Sequence, residues 1–496
     1  MTIVETATGP VSGSRHGDAL RFAGIPYAAP PVGPLRFRPP EPPEPWSEPL
    51  DATRPGPAFA QPRIPLDEML GLEREPTSEE ALLVNVFTPA TEGRRPVLVW
   101  IHGGAFVSGS GSMALYDGSR LAARHDVVVV TINYRLGPFG FLYLGHLDDE
   151  LASSGNVGIL DMVRALEWVR DNVEAFGGDP SRVCIFGESA GGMSVATLLA
   201  VPAARGLFHR AVAQSGAAHN VSDVRAAERV ADRVMELTGA TTLAELRELP
   251  TDALVEACAK LMAEGALAGS SEGVGLLPFQ PVCDGVVLPR QPLEAIRSGE
   301  WAEVPVVVGT CRDEWNLFLL MDPSQIDEDG LRRRIARIHP EPQRVIDLYR
   351  EEFPSRSERE LWAAVMTDVV FTIPAVRLAE AVCEAGSEVF CYSFEWPTPI
   401  LGGMLGSPHA IELPFLFGMI EEPWSKNFVG ENPPRSLSDC MQEAWTSFAK
   451  SGRPESSGIG EWPSWCGDAV TVVLDEECRL RRDPFRRRRD LWSGVL

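Results

Sequence analysis

Val183-Cys184-Ile185-Phe186-Gly187-Glu188-Ser189-Ala190-Gly191-Gly192-Met193-Ser194-Val195-Ala196 reads as an apolar strand that breaks at a G-x-S-x-G pentapeptide and resumes as a small-residue helix. A serine at such a turn is held in a strained backbone conformation with its Oγ projecting. The flanking Gly187 and Gly191 must lack bulk so that strand and helix can pass close to each other. The same turn leaves the amide of Ala190 at a helix N-terminus, where unpaired N–H groups and the helix dipole favour developing negative charge. Strand before and helix after make Ser189 a candidate nucleophile.

Outward from that turn, apolar runs at 97–101, 127–132, 183–186, 211–213 and 304–308 alternate with helical stretches such as Ile159 to Phe176. Continuous apolar runs separated by helices predict a largely parallel sheet covered on both faces, an α/β architecture. Ahead of it, residues 1–58 carry short alternating runs and then a proline-dense stretch from Pro26 to Pro65, as small antiparallel strands and an extended surface segment require. Between about 220 and 300, and again between about 320 and 385, the chain turns helical, charged and amphipathic. These excursions are expected over the carboxyl ends of the strands, where such folds bind ligands.

The chain has 496 residues, 44% hydrophobic and 23% charged, enough for a large core. No linker divides it, so a single domain over 1–496 is expected. Net charge is −24, from 45 basic and 69 acidic residues, which disfavours nucleic-acid and anionic-membrane partners. The one dense basic stretch, Arg479 to Arg489, reads as a solvated or salt-bridged surface. The first residues lack a basic and apolar leader, and no apolar stretch suggests a bilayer span, so cytoplasmic residence is the default expectation. The nine cysteines show no C-x-x-C or metal spacing, and Cys184 and Cys391 lie in strand-like runs. Reduced thiols are expected, and a structural disulfide is not.

Acyl transfer from a serine needs oxyanion donors, a base and a group to orient the base. Ile101-His102-Gly103-Gly104-Ala105-Phe106 follows the run 97–101 as an H-G-G-type loop whose amides face the serine turn. The base must titrate near neutrality, so it is a histidine. The order serine, acid, histidine leaves His209, His219, His339 and His409. His409, late in the chain within Gly406-Ser407-Pro408-His409-Ala410, is the best placed. The acid belongs after the run 304–308, in Gly309-Thr310-Cys311-Arg312-Asp313-Glu314, where chemistry alone does not separate Asp313 from Glu314.

These motifs, together with Phe22-Ala23-Gly24-Ile25-Pro26-Tyr27-Ala28, Asn85-Val86-Phe87-Thr88-Pro89, Asn133-Tyr134-Arg135-Leu136-Gly137, Phe176-Gly177-Gly178-Asp179-Pro180 and Pro278-Phe279-Gln280-Pro281-Val282-Cys283-Asp284-Gly285, resemble the type-B carboxylesterase family of α/β-hydrolases. That family includes bacterial para-nitrobenzyl esterases, mammalian carboxylesterases and cholinesterases. The resemblance spans nearly the whole chain and implies an α/β-hydrolase fold with helical insertions over the site. It implies Ser189 as nucleophile, Glu314 as acid and His409 as base, with oxyanion amides at Gly104, Ala105 and Ala190. Ser215 and Glu188 would stand behind them, and Met193, Phe279, Trp315, Phe318 and Phe371 are candidate pocket residues. No metal or organic cofactor is required.

Two positions depart from the family pattern. Phe59 and Ala81 stand where many relatives carry a disulfide, which leaves the loop 60–80 without that tether. Trp315 replaces the common glycine after the acid and either narrows the pocket or packs outward. The implied activity is hydrolysis of small to medium uncharged esters, with carbamate, amide or thioester hydrolysis on the same triad as the alternative and a non-catalytic adhesion relative as a remote one. Oligomeric state is not readable.

Overall fold

The computed structural model describes residues 1–64, 75–268, 276–322 and 324–495. Fifteen strands are present among them: β1 (Thr2–Glu5), β2 (Pro10–His16), β3 (Ala19–Pro26), β4 (Leu50–Asp51), β5 (Ala58–Phe59), β6 (Thr77–Ser78), β7 (Leu83–Thr88), β8 (Arg95–Ile101), β9 (Val128–Ile132), β10 (Gly178–Glu188), β11 (Arg210–Gln214), β12 (Val306–Cys311), β13 (Val389–Phe394), β14 (Val470–Leu474) and β15 (Arg479–Arg482). One sheet runs β1-β2-β3-β7-β9-β8-β10-β11-β12-β13-β14-β15, with β4 beside β2. From β9 to β14 every neighbour is parallel, and both flanks are antiparallel. This is the mostly parallel sheet that the apolar runs predict.

Period-2 alternation sorts the strand residues between two cores. In β8, Val97, Val99 and Ile101 face one core while Leu98 and Trp100 face the other; in β10, Val183 and Ile185 part from Cys184 and Phe186 in the same way. The first core is closed by helices α1 (Val157–Asn172), α2 (Ala190–Leu198) and, beyond α3 (Glu358–Thr367), α4 (Ile373–Glu384). The second is closed by α5 (Leu413–Leu416) and α6 (Arg435–Ser451), with the Trp100 indole packed on Phe186 and Phe417 at ring separations of 4.8 and 5.1 Å. The excursion between 326 and 366 forms a separate helical core around Leu331, Ile346 and Trp362.

The strand order reverses direction at β8, which sends β9 to one side and has β10 on the other. A crevice forms outside the carboxyl ends at such a switch point. Both the H-G-G loop after β8 and the serine turn after β10 open into it.

Two expectations are corrected. Cys383, in α4, and Cys466, ahead of β14, form a disulfide across 83 residues of sequence, a pairing that tertiary proximity creates and spacing does not announce. The continuous helical run Glu358–Glu384 has the length and mean hydropathy, 1.5, of a membrane span, but 78% of its window is buried inside the fold as a core helix. The cysteines of β10 and β13, Cys184 and Cys391, are buried free thiols as expected. In the loop 60–80, residues 65–74 lie outside the described residues; Phe59 and Ala81 on its flanks are buried in the first core.

Candidate active site

Ser189 occupies the turn between β10 and α2 with φ 57° and ψ −126°, in the left-handed half of backbone space. Its amide donates to Gln214 O (2.9 Å) and its carbonyl accepts from Met193 N (2.8 Å), so both sides of the turn are fixed. The glycines are required by contact. A Cβ on Gly191 would lie 2.0 Å from Ile101 O, one on Gly187 would lie 2.6 Å from the Gly191 backbone, and one on Gly216 would lie 2.4 Å from Ser189 O.

The loop after β8 lies directly against this turn: a Cβ on Gly103 would sit 3.1 Å from Ser189 Cβ and 2.8 Å from Glu188 O. The next three residues are left-handed, Gly104 at φ 109°, Ala105 at φ 55° and Phe106 at φ 62°. That path leaves the amides of Gly104 and Ala105, like the helix-opening amide of Ala190, donating to no group among the described residues. Beneath the loop the His102 ring stacks on Tyr134 (4.4 Å), its Nδ1 is 2.8 Å from Gly103 O, and Tyr134 Oη donates to His102 O (2.8 Å). Burial lowers the His102 pKa to about 4, so this ring is neutral.

His409 is buried, with Nδ1 2.6 Å from Glu314 Oε2. The other Glu314 oxygen accepts the Cys311 amide (2.7 Å) at the carboxyl end of β12. The neighbouring carboxylate is engaged elsewhere: Asp313 pairs with Arg356 (2.5 Å) and Arg312 (2.8 Å) and accepts the Ser407 amide (3.1 Å). On the far edge of the imidazole, Nε2 is 3.1 Å from Glu188 Oε1, within ion-pair reach but outside hydrogen-bond alignment. The Ser189 hydroxyl makes no hydrogen bond among the described residues, and Nε2 faces the residue immediately before it. Catalytic hydrogen bonds are often loose before substrate enters.

Burial pulls the His409 pKa down, and Glu188 and Glu314 outweigh it, giving about 9. Glu188 is pushed up to about 8 by its own burial, with Glu412 and Glu314 adding to the rise and His409 opposing it. Glu412 is the residue that the sequence reading passes over. Fully buried, it accepts from Gln214 Nε2 (3.2 Å) and Cys311 Sγ (3.1 Å), and burial raises its pKa. Its only sequence signal is its place three residues after His409.

Ser215 is buried at φ 44° with its Oγ unpartnered, so it stands near the site without touching the acid. Phe371 and Phe318 pack against the His409 ring at 4.8 and 5.2 Å, and Trp315 packs on Phe318 at 4.9 Å. Phe371 is carried by a π-helical turn, Asp368–Thr372, between α3 and α4, a local widening that often marks functional positions. Met193 and Phe279, by contrast, are packed into the first core. His209 accepts the Val183 amide, His339 contacts Leu491 O, and His219 is buried and lowered to about 4; none of the three meets Glu314.

The carboxylesterase family model matches residues 1–492. The chain belongs to the carboxylesterase family. It is 40% identical to the para-nitrobenzyl esterase of Bacillus subtilis (strain 168) over 98% of this chain and 97% of that protein. Among solved structures, the carboxylesterase EST55 of Geobacillus stearothermophilus at pH 6.2 superposes with a TM-score of 0.89 at 40% identity, covering 99% of this chain and 100% of that one. A thermophilic PNB esterase gives 0.88 at 39%, with 99% of each chain covered. The fold is that of the α/β-hydrolases, and this carboxylesterase is a carboxylic ester hydrolase acting on small-molecule esters.

Proposed function

We propose that the chain works as one unit over residues 1–496 and hydrolyses small to medium uncharged esters through an acyl-enzyme on Ser189. His409 Nε2 takes the hydroxyl proton as Oγ attacks the ester carbonyl. Glu314 holds Nδ1 protonated and so fixes the productive tautomer, and it stabilises the imidazolium that forms. The amides of Gly104, Ala105 and Ala190 bind the tetrahedral oxyanion; donors in such a hole are typically worth about 3–4 kcal/mol each. The alcohol leaves with the proton from His409, and water resolves the acyl-enzyme by the same route.

The observation that carries this reading is the 2.6 Å contact between His409 Nδ1 and Glu314 Oε2, with the opposite ring edge turned to the Glu188-Ser189 turn. Three unengaged amides beside that turn support it. Phe318, Phe371 and Trp315 would form an apolar wall suited to uncharged groups, and Glu188, facing Nε2, would tune the base, with Ser215 standing nearby. The chemistry needs neither metal nor cofactor, and an acidic chain offers nothing to nucleic acid or an anionic membrane. Cytoplasmic residence belongs to the same reading, and the Cys383–Cys466 disulfide is the observation opposing it, since reducing compartments keep thiols reduced.

The test is labelling with a fluorophosphonate followed by peptide mapping. The adduct is expected on Ser189, and Ser189→Ala is expected to abolish both the adduct and hydrolysis of short-chain para-nitrophenyl esters. Labelling elsewhere, or wild-type turnover by the variant, would overturn the assignment.

A further inference from the structure

Strand β14 has a cysteine at each end. Cys466, ahead of it, is bonded to Cys383 of α4. Cys478, in the turn after it, has its Sγ 3.7 Å from the Sγ of Cys440 in α6, and these two sulfurs are not bonded. The hairpin β14–β15 closes one edge of the sheet, and all four residues of β15 are exposed. An edge paired on one side only is where a fold opens first.

The two thiols differ in reach. Cys440 is 3% exposed, with Ser456 Oγ 3.2 Å from its sulfur and the backbone of Gly458 so close that a Cβ there would lie 3.1 Å from it. Cys478 is only half-buried, with Asp475 O 3.7 Å from its sulfur. The remaining free cysteines, Cys184, Cys258, Cys283, Cys311 and Cys391, have no second cysteine sulfur in contact among the described residues.

We propose that Cys440 and Cys478 form a redox modification site, converted by hydrogen peroxide into a second disulfide that locks the β14–β15 hairpin onto α6. The hydrogen bond from Cys440 lowers the Cys478 pKa to about 7, against the opposing effect of burial, while Cys440 is raised. Cys478, the less buried of the two, is the sulfur that ionises first, with the Cys440 thiol donating to it. That thiolate attacks the terminal oxygen of the peroxide; an S–O bond forms, the O–O bond breaks, and the departing hydroxide takes a proton and leaves as water. The sulfur of Cys440 then attacks the Cys478 sulfur as its thiol proton leaves. The S–S bond forms, the S–O bond breaks, and the second oxygen departs as water. Two thiols are oxidised and one peroxide is reduced to two waters. The sulfurs must close from 3.7 Å to the disulfide length of about 2.0 Å, a movement on the scale of side-chain rotation.

The full-length protein, with Cys383–Cys466 intact, is treated with a small excess of hydrogen peroxide, alkylated under denaturing conditions and mapped by mass spectrometry. The expected product is a peptide pair joined through Cys440 and Cys478, with both lost from the alkylated pool and both restored by dithiothreitol. The cross-linked protein is expected to melt about 2 °C or more above the reduced one; equal midpoints would refute the locking. Cys440→Ser should stop Cys478 at the sulfenic acid, trapped by dimedone. Since that variant puts a hydroxyl in place of a buried thiol, the wild-type map decides: Cys478 driven to sulfinic acid with Cys440 still alkylatable, or joined to any other cysteine, overturns the proposal.

Discussion

His409 lies between two carboxylates, and the two do different things to it. Glu314 bonds Nδ1 at 2.6 Å, whereas Glu188 faces Nε2 at 3.1 Å, the nitrogen that has to be empty to accept a proton. An imidazole held up at about 9 is mostly protonated at neutral pH, so activity of the free enzyme is expected to rise with pH through that range. Glu188→Gln keeps the shape and removes a carboxyl that, itself held up at about 8, is an anion only in the upper part of that range. The rising limb of kcat/KM is expected to move at least about one unit toward the ordinary histidine value near 6.5; a pH-rate profile that superposes on wild type would deny Glu188 this influence. Asp313 and Glu314 give a second contrast, since the sequence offers both carboxylates at one strand end and only the folded partners divide them. Glu314→Gln is expected to lower kcat by about 10⁴ at unchanged stability, as wrong-tautomer variants do. Asp313→Asn loosens the Arg356, Arg312 and Ser407 contacts and is expected to cost about 1–3 kcal/mol in denaturant unfolding, with kcat nearly kept.

At the scale of elements, the strand-turn-helix around Ser189 is a steric object, and that is why it was legible. The rule that Gly187 and Gly191 must lack bulk follows from local geometry, and the folded chain has backbone where each Cβ would go. Gly191→Ala would thrust a methyl to within 2.0 Å of Ile101 O and force β8 and α2 apart. It is expected to cost about 3 kcal/mol or more. Gly206→Ala, at φ 78° with nothing within 4 Å, is expected to cost only the backbone strain of about 1 kcal/mol. Equal denaturation midpoints for the two variants would remove the steric account. What local pattern did not carry was convergence. Glu412 meets Gln214 and Cys311 only because the residue ahead of α5 is brought to the ends of β11 and β12, and Phe371 reaches His409 through a π turn that no spacing in the sequence marks. The parallel sheet was readable from β-branched runs, but its flank pairings and the disulfide depend on which elements become neighbours.

For the molecule as a whole, the late part of the chain is fastened by salt bridges of the kind its basic run suggested and by a disulfide that spacing did not announce. The basic run near the end is a set of ties: Arg487 pairs with Glu351, Arg488 with Glu352 and Asp368, and Arg489 with Glu380 and Asp483, which binds the terminal helix to the excursion that follows β12. The exposed Arg487–Glu351 tie is modest and salt-sensitive, whereas Arg488 meets a fully buried carboxylate in Asp368, a pair that salt screens far less. The Cys383–Cys466 disulfide works differently, because it limits the freedom of the unfolded chain and not only the contacts of the folded one. Closing a loop across 83 residues corresponds to about 4.5 kcal/mol by chain entropy, an upper figure because the denatured ensemble is already compact. The double variant Cys383→Ser, Cys466→Ser is therefore expected to unfold at lower denaturant, and added salt should lower both midpoints together, since the ion pairs are common to the two proteins and the cross-link alone separates them. Esterase turnover at low temperature should stay near wild type, because neither cysteine is among the residues that meet His409 or Ser189. A double variant with an unchanged midpoint would mean that the ends of α4 and β14 are already held by packing alone.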